Sequence, residues 1–440
     1  MNMNDKYIAA LEIGSSKITG AVGVYTPEHT LKVIAVEQEE SRDSVRYGII
    51  QNPEEVAQRV TRIIDRLNAN PAVAPRKITG VFVGLSGRSM RSIASDVKLV
   101  FPEETEFTGE LLRRLHDDAM AISIGTNQEI LASVPRSYHI DGLETSSPKG
   151  AMGKSISAVY DIIIGRSELK RNIQRALSER TGLAIRGMVI TAIASADIVL
   201  TDEEKRLGCM LVDLGAETTS ISIYRKGALC YFAVLPLGGR NITRDLTTLS
   251  ILEERAEEIK CESGRAIARE NPSTLSLSGI KLSDVSNLVV ARAEEIIANV
   301  VQQITYAGLT EKDLPGGIIC IGAGSNLNGI QDLIENQSGL NVRLGHLPAF
   351  IQPLDPKSKR HDKIQTAAIL YAGARAGKDD CLEIPEVQEP QAVEEEVDNT
   401  TDIQQEEKPS NDKMKKFFKG ISNRFTNMFA SPTDDDSELD

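Results

Sequence analysis

The 440-residue chain has no long uninterrupted apolar run. No segment approaches the roughly 18 apolar residues that a membrane-spanning helix needs. The N-terminal region also lacks the basic start and apolar stretch of a signal peptide. We therefore expect neither secretion nor a spanning helix. Apolar residues still make up 41% of the chain, which is enough to bury the cores of two or more globular domains.

Cysteine is scarce, with five residues in the whole chain. No two of them form a C-x-x-C pair, and none has zinc-site spacing to the five histidines. The pattern is typical of reduced structural thiols in a cytoplasm.

The sequence also lacks a basic stripe. The formal net charge is −13, but residues 1–378 carry only −1. Acids concentrate in residues 379–412, which carry −12, and in 431–440, which carry −5, while residues 413–430 carry +5. A nearly neutral body without a basic stripe argues against nucleic acid as the main partner.

Two well-known phosphate-binding motifs are missing. There is no Walker A lysine motif, and "GGIICIGAGSNLNGI", residues 316–330, is not GxGxxG, because its later glycines fall at 322, 324 and 329. The segment is typical of a buried strand, a Gly-x-Gly-Ser turn and an amphipathic helix. Such a turn suits close backbone approach to a base, ribose or phosphate, although by itself the signal is weak.

What the sequence does contain is an alternation of apolar strands, glycine turns and amphipathic helices from Tyr7 to about Gly377. This alternation predicts an α/β fold. Helices are predicted for "NPEEVAQRVTRIIDRLNAN", "SELKRNIQRALSERTG" and "LSDVSNLVVARAEEIIANVVQQITYAG".

One motif occurs twice, about 200 residues apart. "LEIGSSK" and "LVDLGAETT" each end a buried-type strand in acid-x-Gly, at Glu12 and at Asp213, before a second β-rich run. The repetition predicts two related lobes. Turn amides from both hairpins can clamp a polyphosphate. A hydrated Mg²⁺ is the natural cation for the two carboxylates, because a buried carboxylate needs a partner and Mg²⁺ prefers oxygen ligands.

In this order and spacing, the three elements resemble the phosphate 1, phosphate 2 and adenosine motifs of the actin, Hsp70 and hexokinase superfamily. "LEIGSSK", an insert of roughly 80 residues after "VFVGLSG" and a C-terminal amphipathic helix behind a linker resemble, more narrowly, the FtsA family of bacterial division proteins. The resemblance covers nearly the whole chain. It implies ATP and Mg²⁺ as cofactors, with Mg²⁺ held by Glu12 and Asp213 through water.

The resemblance implies a two-lobed actin-like (ribonuclease H-like) fold with an inserted subdomain. The first lobe comprises residues 1–84 and 165–205, with 355–377 returning to it. The other parts are the inserted subdomain 1C (85–164), the second lobe (206–354, with subdomain 2B at about 246–308), a disordered acidic linker (378–412), an amphipathic helix (413–430) and an acidic tail (431–440).

Individual nucleotide-binding positions follow from the same resemblance, while no catalytic residue does. They are Gly14, Ser15, Ser16 and Lys17 at the first phosphate turn; Asp213, Gly215, Thr218 and Thr219 at the second; Gly238, Gly239 and Asn241 near the sugar; Glu257 and Lys260 at the adenosine; and Gly322, Gly324 and Ser325 at the adenine. Ala216 and Glu217 depart from the glycines that relatives often show in the second turn. We expect the two residues to reduce the flexibility of the turn, and Glu217 to add negative charge near a phosphate, so that nucleotide binds weakly or is hydrolysed slowly.

The segment "DKMKKFFKGISNRFTNMFA" is strongly amphipathic as a helix. At about 100° per residue its seven apolar side chains share an arc of about 120°, opposite the basic ones. The predicted membrane-binding residues are Met414, Lys415, Lys416, Phe417, Phe418, Lys419, Ile421, Arg424, Phe425, Met428 and Phe429. A basic, Phe-rich helix after a solvated linker favours an anionic membrane surface over docking on a protein.

The resemblance predicts an ATP-binding division protein with at most weak ATPase activity. It would polymerise at the cytoplasmic face of the bacterial inner membrane, at the division site, and anchor the FtsZ ring. Implied partners are the FtsZ C-terminal tail at Arg292 and Glu295, further copies of the chain, anionic lipid and, through subdomain 1C, later division proteins. The alternatives are a pilus-assembly adaptor and a small-molecule kinase of the same superfamily.

Overall fold

The computed structural model of the protein describes residues 5–268, 276–277, 280–354, 363–377 and 380–384. Apart from residues 380–384, the predicted linker (378–412), amphipathic helix (413–430) and acidic tail (431–440) lie outside these residues.

The described residues form strands and helices that we number in chain order. The strands are β1 (Lys6–Ile13), β2 (Lys17–Tyr25), β3 (Leu31–Glu40), β4 (Val45–Arg46), β5 (Ile49–Ile50), β6 (Lys77–Ile78), β7 (Gly80–Leu85), β8 (Arg91–Glu106), β9 (Gln128–Ile140), β10 (Leu143–Thr145), β11 (Met152–Arg166), β12 (Ala184–Ile190), β13 (Cys209–Leu214), β14 (Thr219–Arg225), β15 (Ala228–Leu235), β16 (Ser276–Leu277), β17 (Ile280–Lys281), β18 (Ile318–Ile321), β19 (Val342–Leu344), β20 (Ile351–Gln352) and β21 (Leu382–Glu383). The α-helices are α1 (Pro53–Ala69), α2 (Gly109–Met120), α3 (Glu168–Gln174), α4 (Thr191–Val199), α5 (Asp202–Leu207), α6 (Gly239–Leu246), α7 (Glu253–Ser263), α8 (Leu282–Tyr306), α9 (Ile330–Ser338) and α10 (Ile364–Arg375).

The first lobe is built on a six-stranded sheet in the order β12-β7-β1-β2-β3-β20. β1, β2 and β3 form an antiparallel meander, and β7 and β12 continue the sheet in parallel. α1 packs on β2 at Gly20, where a Cβ atom would lie 2.4 Å from Ile63 Cγ2. The side chain of Asn52 caps α1 by accepting hydrogen bonds from the next helical N–H groups.

The second lobe repeats this topology. β13, β14 and β15 form an antiparallel meander, β18 is parallel to β13, and β19 is parallel to β18. The strand order 19-18-13-14-15 therefore matches 12-7-1-2-3 of the first lobe. The acid-x-Gly motif ends the first strand of the meander in both lobes.

The inserted subdomain extends the sheet of the second lobe. Its four strands continue a nine-stranded sheet in the order β10-β9-β11-β8-β15-β14-β13-β18-β19. β8 meets β15 at the pair Arg91 and Ala233, and Val234 N donates to Met90 O at 3.1 Å nearby. Along the chain this subdomain is inserted between two parts of the first lobe. The order of segments in the sequence therefore does not predict its contact with the second lobe, which only the tertiary structure shows.

A buried ion pair strengthens this junction. Arg136 on β9 binds Asp161 on β11 through two hydrogen bonds of 2.5 and 2.8 Å, and it also donates to Cys230 O on β15 at 2.7 Å. Asp161 is fully buried, and burial raises the pKa of its carboxyl even though the Arg136 guanidinium acts to lower it.

Two further findings concern the helices. The segment "SELKRNIQRALSERTG" is not one continuous α-helix, because α3 passes into a π-helical turn at Arg175–Glu179. Within the described ranges, no helix is both long and apolar enough to cross a membrane.

The junction gives a stability prediction. Arg136→Met should lower the free energy of unfolding by about 3 kcal/mol, because it leaves the Asp161 carboxylate buried without its cation. Urea denaturation at pH 7 measures the change. Arg166→Met is the matched control: it removes a pair with Glu168 at the surface and should cost less than about 1 kcal/mol. Equal losses of unfolding free energy in Arg136→Met and Arg166→Met would contradict a stabilising role of the Arg136–Asp161 ion pair at the junction.

Candidate nucleotide-binding cleft

A cavity of about 1770 Å³ lies between the two lobes. The β1–β2 turn lines it from the first lobe. The β13–β14 turn, the start of α6, the exposed face of α7 and the loop after β18 line it from the second. The three elements that the sequence analysis singled out therefore face one cavity.

The β1–β2 hairpin carries the first turn. Glu12 pairs with the residue seven positions later, and Gly14 N, two positions after the acid, donates to Lys17 O at 3.0 Å. In addition, the Ser41 hydroxyl donates to Gly14 O at 2.5 Å and holds the turn against the end of β3.

The β13–β14 hairpin has the same hydrogen-bond pattern. Asp213 also pairs with the residue seven positions later, and Gly215 N donates to Thr218 O at 2.9 Å. Gly238 packs against this turn so closely that a Cβ atom would lie 2.6 Å from Gly215 O. Gly239 N donates to the same carbonyl at 2.9 Å, which joins the start of α6 to the turn.

Consecutive residues of α10 hold the two acids. Gln365 Nε2 donates to Asp213 Oδ1 at 2.7 Å, and the Thr366 hydroxyl donates to Glu12 Oε2. α10 belongs to the first lobe and Asp213 to the second, so Gln365 also ties the lobes together. Burial is the main cause that raises the pKa of Asp213 to about 6, against the lowering effect of the Gln365 bond.

The residues at these acids fit a hydrated Mg²⁺. Among the residues that the structure describes, no group of three or more His, Cys, Asp or Glu side chains could ligate a metal directly. Glu12 and Asp213 line the cavity, and Gln365 Oε1 is buried there with no described hydrogen-bond partner. Two carboxylates and an orphaned acceptor are the groups that would receive hydrogen bonds from metal-bound waters.

Glu217 lines the cavity, but arginine side chains balance its charge, so that it does not add net negative charge at the turn as we expected. Its side chain is only 1% exposed, and the guanidinium groups of Arg46, Arg240 and Arg244 surround it. The expectation of unbalanced negative charge near a phosphate is therefore wrong, because the charge is neutralised where it is buried.

The predicted adenosine side of the cavity is organised around Lys260. Its ammonium group donates to Glu257 Oε2 at 2.7 Å, to Thr243 Oγ1 at 3.0 Å and to Gly239 O at 3.2 Å. Burial acts to raise the pKa of the Glu257 carboxyl, but the Lys260 ammonium and the Thr243 hydroxyl outweigh it and hold the pKa below its usual value. The i, i+3 pair thus fastens α7 to the start of α6.

The loop after β18 closes the far side. Gly322 has a φ of 86°, and a Cβ atom there would lie 2.4 Å from Asp213 Oδ1. Ser325 is buried, and its hydroxyl donates to Gly322 O at 2.6 Å. The glycine is required by the close approach to Asp213, and the serine fixes the loop.

Most predicted nucleotide-binding residues line the cavity, and four do not. Those that line it are Gly14, Ser15, Ser16, Lys17, Asp213, Gly215, Thr218, Gly238, Gly239, Glu257, Lys260 and Gly324. The others lie behind it: Thr219 donates to Leu237 O, Asn241 accepts from Gly238 N, and Gly322 and Ser325 bond to each other.

The sequence analysis missed several residues of the cleft. Gln365, Ser86, Thr191 and Arg240 line the cavity, and none belongs to the acid-x-Gly or Gly-x-Gly motifs. One signal in the sequence could have indicated Gln365: it and Thr366 form a polar pair at the start of the helix "IQTAAILYAGA". The rest of that helix is apolar and typical of a buried core helix.

The predicted FtsZ-binding positions lie on α8 and do not line the cavity themselves. Arg292 binds Asp245 of α6 at 2.6 and 3.1 Å and Glu295 at 2.5 Å. Arg292 is thus engaged within the second lobe, and Glu295 is the more exposed of the two side chains.

Two stretches of the chain match sequence models of protein families. Residues 210–361 match the family described as "Cell division protein FtsA", and residues 87–164 match "SHS2 domain inserted in FTSA". Among curated proteins, Cell division protein FtsA of Porphyromonas gingivalis is 32% identical over 341 residues, which cover 74% of this chain and 69% of that protein. The FtsA of Pseudomonas aeruginosa is 31% identical over 352 residues, covering 77% and 83%.

Solved structures show the fold. The "PilM-PilN type IV pilus biogenesis complex" matches with a TM-score of 0.60 at 17% identity, over 84% of this chain and 98% of that chain. Together with the matched insert, this confirms the predicted two-lobed, actin-like α/β fold with an inserted subdomain for the described residues.

The raised pKa of Asp213 gives a stability prediction. Ionised Asp213 destabilises the folded protein above the folded pKa of about 6, and the penalty fades as the pH falls toward 3.8. Asp213→Asn keeps the acceptor for Gln365 and removes the charge. Without nucleotide or metal it should be more stable than the unmodified protein by about 2 kcal/mol at pH 8, with a smaller gain at pH 5.

Urea denaturation in metal-free buffer at both pH values measures this gain. Asp65→Asn, at an exposed position of α1, is the control and should show little change at either pH. A gain in Asp213→Asn that does not depend on pH, or a loss of stability at pH 8, would contradict the burial of an ionised Asp213.

Proposed function

Since the chain belongs to the FtsA family of bacterial cell division proteins, we propose that it binds ATP with Mg²⁺ between its lobes, polymerises, and anchors the FtsZ ring to the cytoplasmic face of the membrane. The observation that carries the nucleotide part is the pair of identical hairpin turns facing one cavity. The membrane part rests on the sequence of residues 413–430.

The phosphates would lie between the two turns. Backbone N–H groups of Ser15 and Ser16 on one side and of the Ala216–Thr218 segment on the other are suited to bind anionic oxygens. Mg²⁺, when bound, would neutralise phosphate charge. Glu12 and Asp213 would orient its waters, with Gln365 holding the Asp213 carboxylate in place.

The sugar and base would lie against α6 and α7. Lys260 is already bonded to the Gly239 carbonyl and to Glu257, so the wall it forms exists without a ligand. We expect at most weak hydrolysis of the bound nucleotide.

The remaining contacts are proposed from the family. The FtsZ tail would bind beside α8, with Glu295 more accessible than Arg292, and the inserted subdomain would serve polymer and recruitment contacts. Burying four Phe, two Met and one Ile gives at most about 10–15 kcal/mol, and ordering the helix costs a comparable amount. Single helices would then bind reversibly, and polymerisation would supply avidity.

Nucleotide binding gives the first test. Lys260→Met should weaken ATP binding about tenfold, because losing a charge-assisted hydrogen bond costs more than 1 kcal/mol. Titration with a fluorescent ATP analogue measures the dissociation constant. Lys205→Met is a close control: both lysine side chains are 13% exposed and paired with a half-exposed acid, but Lys205 lies outside the cleft. Equal changes of the dissociation constant in Lys260→Met and Lys205→Met, or no ATP binding by the unmodified chain, would contradict the assignment of the cleft as the nucleotide site.

Membrane anchoring gives the second test. Replacing Phe417 and Phe425 by Glu should abolish pelleting with anionic vesicles and leave ATP affinity unchanged. The matched control replaces Asn423 and Asn427 by Glu, which adds the same charge on the polar face, at about 180° and 220° on the helical wheel. It should reduce pelleting only partly. Vesicle binding that survives the Phe substitutions would show that the anchor lies elsewhere.

A further inference from the structure

Glu217 stands out among the residues of the second phosphate turn. It is a carboxylate in a turn where a small residue would suffice, and only 1% of its side chain is exposed. Four groups contact it: Tyr47 N donates to Oε2 at 2.6 Å, and Oε1 lies 3.0 Å from Arg46 Nε, 3.1 Å from Arg244 and 3.3 Å from Arg240. The Arg46 contact is an ion pair rather than a hydrogen bond.

The partners come from both lobes. Arg240 and Arg244 lie on α6, one turn apart, in the same lobe as Glu217. Arg46 and Tyr47 lie at the tip of the β4–β5 hairpin of the first lobe. A buried carboxylate is stable only with such compensation, because each uncompensated charge costs several kcal/mol. Glu217 therefore holds the guanidinium group of Arg46, which belongs to the first lobe, against the second lobe.

The hairpin reaches the first phosphate turn as well. Tyr47 and Gly48 form its turn with φ of 51° and 75°, as a two-residue type I′ turn requires. Tyr47 N donates to Glu217, and the next peptide, Gly48 N, donates to Ser15 Oγ at 2.9 Å. Two consecutive N–H groups thus connect the two phosphate turns.

Other contacts hold the hairpin in this orientation. The Arg88 guanidinium lies 4.9 Å from the centre of the Tyr47 ring, and Arg88 N donates to Tyr47 O at 3.1 Å. Arg46 also binds Asp43, but that carboxylate is 90% exposed and well solvated. Of the two acids that Arg46 meets, only Glu217 is buried.

We propose that Glu217 is a positioning residue: an internal anion that clamps the β4–β5 hairpin to the second phosphate turn and fixes the spacing of the two turns before any nucleotide arrives. The proposal rests on the proposed nucleotide site, and it adds that the clamp slows the release of nucleotide from that site. When the clamp is lost, the lobes separate more readily and bound ATP leaves faster.

The first measurement needs no nucleotide. Tyr47 N–H is bonded to Glu217, and Gly48 N–H to the first phosphate turn, while the clamp is closed, so the hydrogen-exchange rate of these two amides reports its opening. Glu217→Gln keeps an acceptor for Tyr47 N and removes the charge, and it should raise this exchange rate at least about threefold. Asp43→Asn, which removes the solvated partner of Arg46, should leave the rate unchanged.

A double-mutant cycle tests the contact across the lobes. Arg46→Met should raise the exchange rate of the two amides as Glu217→Gln does, and the double variant should add little to either, because both remove the same ion pair. Arg46→Met also keeps the proposal testable if Glu217→Gln does not fold. Additive effects, or an unchanged rate in either single variant, would overturn the clamp.

The second measurement links the clamp to nucleotide. The dissociation rate of a fluorescent ATP analogue with Mg²⁺ should rise about tenfold in Glu217→Gln and in Arg46→Met, and not in Asp43→Asn. If the unmodified chain binds no analogue, the proposed function fails, whereas the hydrogen-exchange experiment still decides on the clamp. If the analogue binds and its dissociation rate is equal in all variants, the proposal that the clamp controls nucleotide release is wrong.

Discussion

A carboxylate that leaves water must meet a donor or a cation, and the cleft of this protein is organised around three carboxylates for which this holds. Glu12 and Asp213 end matching strands in the two lobes and accept from consecutive residues of α10. Glu217 is buried among three guanidinium groups. Because two of the three have a partner in the opposite lobe, the same bonds that satisfy the charges also set the distance between the lobes.

The duplication of the fold explains how these groups come together. Each lobe has an antiparallel meander with parallel strands added beside its first strand, so each first turn emerges at the same edge of its sheet. Two such edges that face each other produce a cavity with an acid-x-Gly turn on either side. The inserted subdomain is joined to β15, which is hydrogen-bonded to β14, so the second acid-x-Gly turn and the insert share one sheet.

Local patterns in the sequence predicted the recurring parts correctly. The α/β class, the two related lobes, the family and most cleft glycines follow from motifs a few residues long, and α1 and α8 follow from their periodicity and, for α1, the Asn52 cap. The prediction for Glu217 was wrong because its partners are distant in sequence: Tyr47 is 170 residues away. Spacing along the chain carries no information about such contacts.

The sequence alone determined where the two acid-x-Gly turns form, because such hairpins and their turn amides are local structures. It also determined the amphipathic character of residues 413–430, since a helical face depends only on the spacing of its side chains. Only the tertiary structure decided how the acids are satisfied and that the insert joins the second lobe. These outcomes depend on which groups meet when water is excluded between distant segments, and the energy of a buried charge is set by those neighbours.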